Sequence, residues 1–253
     1  MINLALIVLF ALSLNAAAAE MTEIRYLDQE PEQPAYTSRI LVLGERLRMD
    51  YGRDEEDFIL FDRRAGMVWL VAHGERRLTG IPALPMKKVT QAAAWPPGWK
   101  LSQERQASGA DTLFQVRLND QLCVEFKNAP ILKNEARLLR DFRRALAGNQ
   151  ADAWNATPEA LRQPCTLVLD VRQAGVEYQQ GLPLALRYWD GRSRVYQSHA
   201  SLPAQPALFE LPAAYQRFVL GAPAGKLSPP PAALRMSRAG AADDGFIDSP
   251  SAI

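Results

Sequence analysis

Two histidines and two cysteines are the most reactive side chains of this chain, and their spacing decides which chemistry is open to it. His73 stands beside Gly74 after an apolar run, and His199 follows Tyr196-Gln197-Ser198. Neither has a carboxylate or cysteine at the spacing of a metal site or a catalytic triad, so both read as strand-edge residues. A phosphate-binding glycine loop and a G-x-S-x-G nucleophile elbow are both missing. The chain therefore reads as non-enzymatic, with no catalytic residue, metal ligand or cofactor assigned. A site assembled from scattered residues is the enzymatic alternative.

Cys123 and Cys165 make an even count, which in an oxidising compartment points to one disulfide. Closing so long a loop contributes about 4 kcal/mol on the chain-entropy model. Two buried thiols are an alternative, and a metal pair is a weaker one because Cys-x2-Cys and nearby histidines are lacking. The run Asp54-Glu55-Glu56-Asp57 lacks the spacing and glycine of a calcium loop and reads as a solvated turn. Asn155-Ala156-Thr157 fits a glycosylation sequon, a pattern frequent by chance.

Trp95-Pro96-Pro97-Gly98-Trp99 sets two tryptophans around a rigid turn, and Trp69 lies in a strand. These three are the candidate ligand-binding residues, as an apolar lid over a concave sheet. The competing reading has the same rings stapling a long loop to a core.

The elements that must position these residues are short and alternating. Strands are expected at 24–27, 36–43, 46–51, 58–61, 67–72 and 76–79, with turns such as Arg64-Ala65-Gly66 between them. Prolines 82, 85, 96 and 97 interrupt the pattern, leaving a crossing loop with a helical turn near 88–94. Alternation resumes at 100–106, 112–118 and 121–127, and then at 166–172, 184–189 and 192–198, the last two joined by Asp190-Gly191. Segments 208–212 and 215–220 close the ordered part.

One amphipathic helix is expected over 132–146, with Leu132, Ala136, Leu139, Phe142 and Leu146 on one stripe and Gly148-Asn149 as the stop. Its other faces carry Lys133, Arg137, Arg140, Arg143 and Arg144. Arg137, Arg140 and Arg144 are the candidate partner-binding residues, against the plainer reading of a solvated charged face. A single helix among many strands gives an α+β domain with a large curved antiparallel sheet packed on that helix.

Ile2 to Leu14 is an almost unbroken apolar run followed by Ala16-Ala17-Ala18-Ala19 and Glu20, the shape of a secretory signal peptide cut after Ala19. Its amino end lacks Lys or Arg, and the run is shorter than a membrane span needs. With no lipidation cysteine after it, a soluble periplasmic protein without an integral membrane span is expected. The organisation that follows is leader 1–19, one domain 20–224, and a Pro-, Ala- and Ser-rich disordered tail 225–253. A net charge of +1 gives no electrostatic case for nucleic acid as a partner.

The order strand, Gly44-Glu45-Arg46-Leu47-Arg48-Met49-Asp50, Phe58-Ile59-Leu60-Phe61-Asp62-Arg63 and Val68-Trp69-Leu70-Val71 resembles the repeating core of the LolA/LolB-like half-barrels, the periplasmic lipoprotein carriers. Leu208-Phe209-Glu210-Leu211-Pro212-Ala213-Ala214-Tyr215 is similar to the closing segment of an uncharacterised branch of that group. The resemblance spans about residues 21–220. It implies a curved sheet wrapped over helices, with an apolar cavity for a lipid or lipoprotein acyl chain. The alternative function is that of an envelope interaction or sensor protein, binding a protein partner through a sheet edge or the basic helix.

Overall fold

The computed structural model describes residues 19–108 and 111–221. The expected tail, and all of the leader except Ala19, lie outside the described residues. The alternating segments form β1 (Glu20–Gln29), β2 (Tyr36–Leu43), β3 (Arg46–Asp50), β4 (Phe58–Asp62), β5 (Met67–Ala72) and β6 (Arg77–Pro82). After helix α1 (Met86–Ala92) come β7 (Leu101–Ser108), β8 (Asp111–Leu118) and β9 (Gln121–Ala129). Helices α2 (Lys133–Ala156) and α3 (Pro164–Thr166) precede β10 (Leu182–Tyr188), β11 (Ser193–Pro203) and β12 (Gln216–Val219).

All twelve strands share one open sheet in the order β12-β6-β5-β4-β3-β2-β1-β11-β10-β9-β8-β7. Short turns pair sequence neighbours antiparallel from β1 through β6 and from β7 through β9. Asp190-Gly191 turns β10 into β11, and β11 then lies along β1 and joins the two runs. The exception is β12, which returns parallel to β6. The fold is thus α+β, a curved and mainly antiparallel sheet with α2 packed across β3, β5, β6 and β10.

Helix α2 begins where expected but runs a further ten residues, through Gly148-Asn149 to Ala156. Gly148 is a close-approach residue and not a stop: a Cβ there would lie 2.9 Å from Leu84 Cδ1. The expected strand at 166–172 is helical instead, continuing α3 as a π-helical turn over Leu167–Arg172. A short apolar run has no period that separates a strand from a buried helical turn. Here Val168 and Leu169 pack into one cluster while Leu167 and Val171 pack into another, so the turn is buried on two sides. Its donors stay within the helical turn, with Gln173 N–H donating to Val168 O at 2.7 Å.

Alternation sends Phe61 toward α2, its ring 5.9 Å from that of Phe142. Phe58 and Leu60 point the opposite way, into a second cluster with Met21, Leu41, Val71, Leu78 and Phe209. Residues 204–215 lie over that outer face as a strap, contributing Leu208, Leu211 and Tyr215 beside Leu202 of β11. The half of the sheet from β2 to β6 is therefore a middle layer. β4 and β5 carry apolar side chains on both faces for this reason.

Candidate functional site

The larger of two cavities, about 420 Å³, is a groove where the first turns of α2 meet the start of β1, the end of β2 with the β2–β3 turn, and the residue after β4. Glu20, Thr22, Val42, Gly44, Glu45, Arg63, Asn134, Glu135, Arg137 and Leu138 line it. Local structure places each charge. Glu45 sits in the β2–β3 turn, where Gly44 takes a left-handed φ of 59°, and Arg63 follows β4 directly. Glu135 lies in the first turn of α2, the end at which the helix dipole favours a carboxylate.

Arg63 is already matched, with Nη1 3.3 Å from Glu45 Oε2 and Nε 3.1 Å from Asp141 Oδ2. Glu135 Oε1 accepts from Thr22 Oγ1 at 3.0 Å, and Glu20 Oε2 accepts from Ser201 Oγ at 2.6 Å. Arg137 is exposed on the groove wall and makes no ion pair among the described residues.

The smaller cavity, about 50 Å³, lies beside the disulfide and is lined by Arg143, Cys165, Thr166, Leu169, Asp170, Tyr188, Trp189 and Arg192. Arg143 Nη2 donates to Asp170 Oδ1 at 2.6 Å, and its Nε lies 3.3 Å from Glu177 Oε1. Burial raises the Glu177 carboxyl above its ordinary range, and the neighbouring Arg143 only partly opposes this. Arg192 is paired with Asp190 at 2.7 Å. Room for little more than water and a matched set of charges make this a structural polar cluster.

The tryptophans separate. Trp95 and Trp99 meet edge to face at 5.4 Å, Trp99 meets Trp154 of α2 at 6.5 Å, and Trp95 Nε1–H donates to Trp99 O at 3.1 Å. Both pack against two clusters, one of α1, α2 and the turn after α3, the other of β8, β9 and that same turn. Trp69 belongs to the outer cluster under the strap, facing Gly80 on β6. The structure thus brings two of the three together and leaves Trp69 on the opposite face of the sheet.

Cys123 of β9 and Cys165 of α3 form a disulfide, both sulfurs buried. The candidate partner residues do not form one open face. Arg137 is exposed, Arg144 is half-buried, and Arg140 packs its backbone and stem against Gly175 with Nε 3.8 Å from Asp141. His73 directly follows β5 and His199 lies within β11, each bonded to a tyrosine: His73 Nδ1 to the Tyr215 hydroxyl at 2.8 Å, and His199 Nδ1 to that of Tyr196. In the acidic run, Asp54 pairs with Arg39 at 2.7 Å and Asp57 accepts from His73 N–H at 2.7 Å. No group of three or more His, Cys, Asp or Glu residues able to hold a metal occurs among the described residues. No helix among them is long and apolar enough to cross a membrane.

Sequence patterns missed Thr22, Glu45, Arg63 and Glu135 as a group. Each is an ordinary turn, strand or first-turn residue, and the only local signal, an acid at a helix start, belongs to helices in general.

No protein-family model and no curated protein matches the chain. Among solved structures, PNGF-II in a C2 crystal form is 12% identical over 79% of this chain and 31% of that one, with a TM-score of 0.39. PNGF-II in a P21 form is 11% identical over 79% and 32%, with a TM-score of 0.31. The chain spans about a third of the length of those structures. Both likenesses are too remote to bear on fold or function.

Proposed function

We propose that the chain is a non-enzymatic periplasmic protein that binds a lipid or another hydrophobic ligand under α2, with the charged groove at the rim as its mouth. The observation that carries this is the arrangement of an open sheet whose apolar face is covered by one amphipathic helix beside a groove of about 420 Å³. Ile24, Ile40, Leu47, Phe61 and Val68 are buried in the sheet, and Leu138, Leu139 and Phe142 are buried on α2. An acyl chain would take the place of the helix's apolar stripe against that sheet. The apolar leader and the disulfide support export to the envelope, where such ligands are available. The resemblance to the lipoprotein carriers supports the same ligand class.

Native mass spectrometry of the purified chain, followed by solvent extraction, tests this reading. Bound lipid mass that disappears on extraction is the expected result. A chain that purifies without ligand and takes up none from mixed envelope lipids would sink it.

A second reading is favoured by the free edge of the sheet. Among the described residues β7 pairs only with β8, and residues 102–107 along it are exposed. An extended segment of a protein partner could add to that edge as a further strand. Replacing Gln103 or Arg105 by proline would then abolish co-purification of the partner while leaving lipid content unchanged.

A further inference from the structure

We infer that the groove at the α2 rim selects a compact zwitterion, an ammonium and an anionic oxygen group held a few bonds apart. The inference rests on the groove being the ligand's mouth and adds what the ligand's polar end must carry.

The charges lining the groove are unequally matched. Arg63 has two carboxylates, Glu45 and Asp141, within 3.3 Å and 3.1 Å, so it offers little to an incoming anion. Glu20 and Glu135 are met only by neutral hydroxyls among the described residues, those of Ser201 and Thr22. A hydroxyl donates one hydrogen bond and no charge, which leaves lone pairs on both carboxylates for a cation. Arg137 has the opposite deficit, a guanidinium without a carboxylate partner.

These deficits do not cancel internally. Glu135 and Arg137 are two residues apart on one helix, a spacing at which side chains do not pair with each other, although both line the groove. A ligand with only an amine leaves Arg137 unanswered, and one with only a phosphate or carboxylate faces Glu20 and Glu135. A molecule with both groups answers all three. The smaller cavity shows the contrast, since Arg143 and Arg192 there are already paired with Asp170 and Asp190.

Two sources supply this chemistry: a phosphoethanolamine headgroup, in keeping with a lipid ligand, and a free amino acid or short peptide. Isothermal titration of the purified, disulfide-bonded chain with phosphoethanolamine, ethanolamine, glycerol 3-phosphate and diglycine separates them. Phosphoethanolamine or diglycine should bind about tenfold or more tightly than either single-charge probe, the worth of one charge-assisted hydrogen bond. Preference between the two zwitterions names the source. Glu135→Gln and Arg137→Gln should each remove that advantage while moving the melting temperature by no more than about 4 °C.

Failure of both zwitterions to bind, or an equal affinity for ethanolamine or glycerol 3-phosphate, overturns the inference. Affinities unchanged in both variants overturn it as well. A chain that carries lipid but shows no zwitterion preference refutes this selectivity and leaves lipid binding standing. Zwitterion preference in a chain that never takes up lipid does the reverse.

Discussion

The two halves of the sheet solve the same problem differently. From β2 to β6 the outer face is buried under the strap, and Ser38 to Val42 and Leu47 to Asp50 are buried without a break. From β7 to β10 the outer face is open. There Glu104, Gln115, Glu125 and Arg187 stand in one cross-strand row, with Gln115 donating to Glu125 at 2.6 Å. The covered half must satisfy its polar groups internally. Asp50, fully buried, accepts from Arg39 Nε at 2.8 Å and Arg48 Nε at 2.7 Å, and Arg48 Nη1 donates to Leu208 O of the strap at 3.0 Å. The open half leaves its charges to water, where each pair is worth little. Polar residues therefore carry stability in one half and solubility in the other.

The largest break in this contrast is Asp50→Ala. It leaves the buried Arg48 without a carboxylate and Arg39 with Asp54 alone, and should cost about 3–5 kcal/mol in urea unfolding; a loss below about 1 kcal/mol would mean that the strap does not seal that face. Breaking the disulfide with Cys123→Ser and Cys165→Ser should cost about 2–4 kcal/mol, read as a lower urea midpoint. That clamp ties β9, in the open half, to α3, and so it acts on the side the strap does not reach.

Gly80→Ala probes packing in the covered half, where a Cβ would come within 2.8 Å of the Trp69 ring and 2.9 Å of Met67 Cε. A destabilisation of about 1–3 kcal/mol is expected, because an indole held between sheet and strap has little freedom to yield. The next test is a slope against pH. Burial raises Glu177 above its ordinary value of 4.5, so the fold favours the protonated acid. That contribution is complete below 4.5 and is lost as pH rises through the folded value. Glu177→Gln, uncharged throughout, should gain stability relative to the parent as pH rises from 4.5 toward neutrality; parallel curves would remove the burial effect. The smallest change is expected from Gln115→Ala on the open face, within about 0.5 kcal/mol by the same unfolding assay.

Much of the sheet was legible because its strands alternate and its turns are marked. Tyr36–Leu43 and Met67–Ala72 coincide with the expected bounds, and Asp190-Gly191 makes the expected hairpin. Residues 166–172 were not legible, since an unbroken apolar run suits any element buried on two sides. Gly148 misled for a related reason: a glycine spared for the approach of Leu84 looks in sequence like one that ends a helix. The groove left no local trace, because its residues come from β1, the β2–β3 turn, the end of β4 and the start of α2.

By itself, the sequence determined the strand periods, the amphipathic stripe of α2 and the pairing partners open to Cys123 and Cys165. These depend on neighbours within a few residues, or on a count. Only the tertiary structure decided that Trp69 lies across the sheet from Trp95 and Trp99, that Arg143 is spent on Asp170, and that Glu135 and Arg137 share a groove with Glu20. Strand order and the path of the strap set those distances, and neither is written in any local window of the chain.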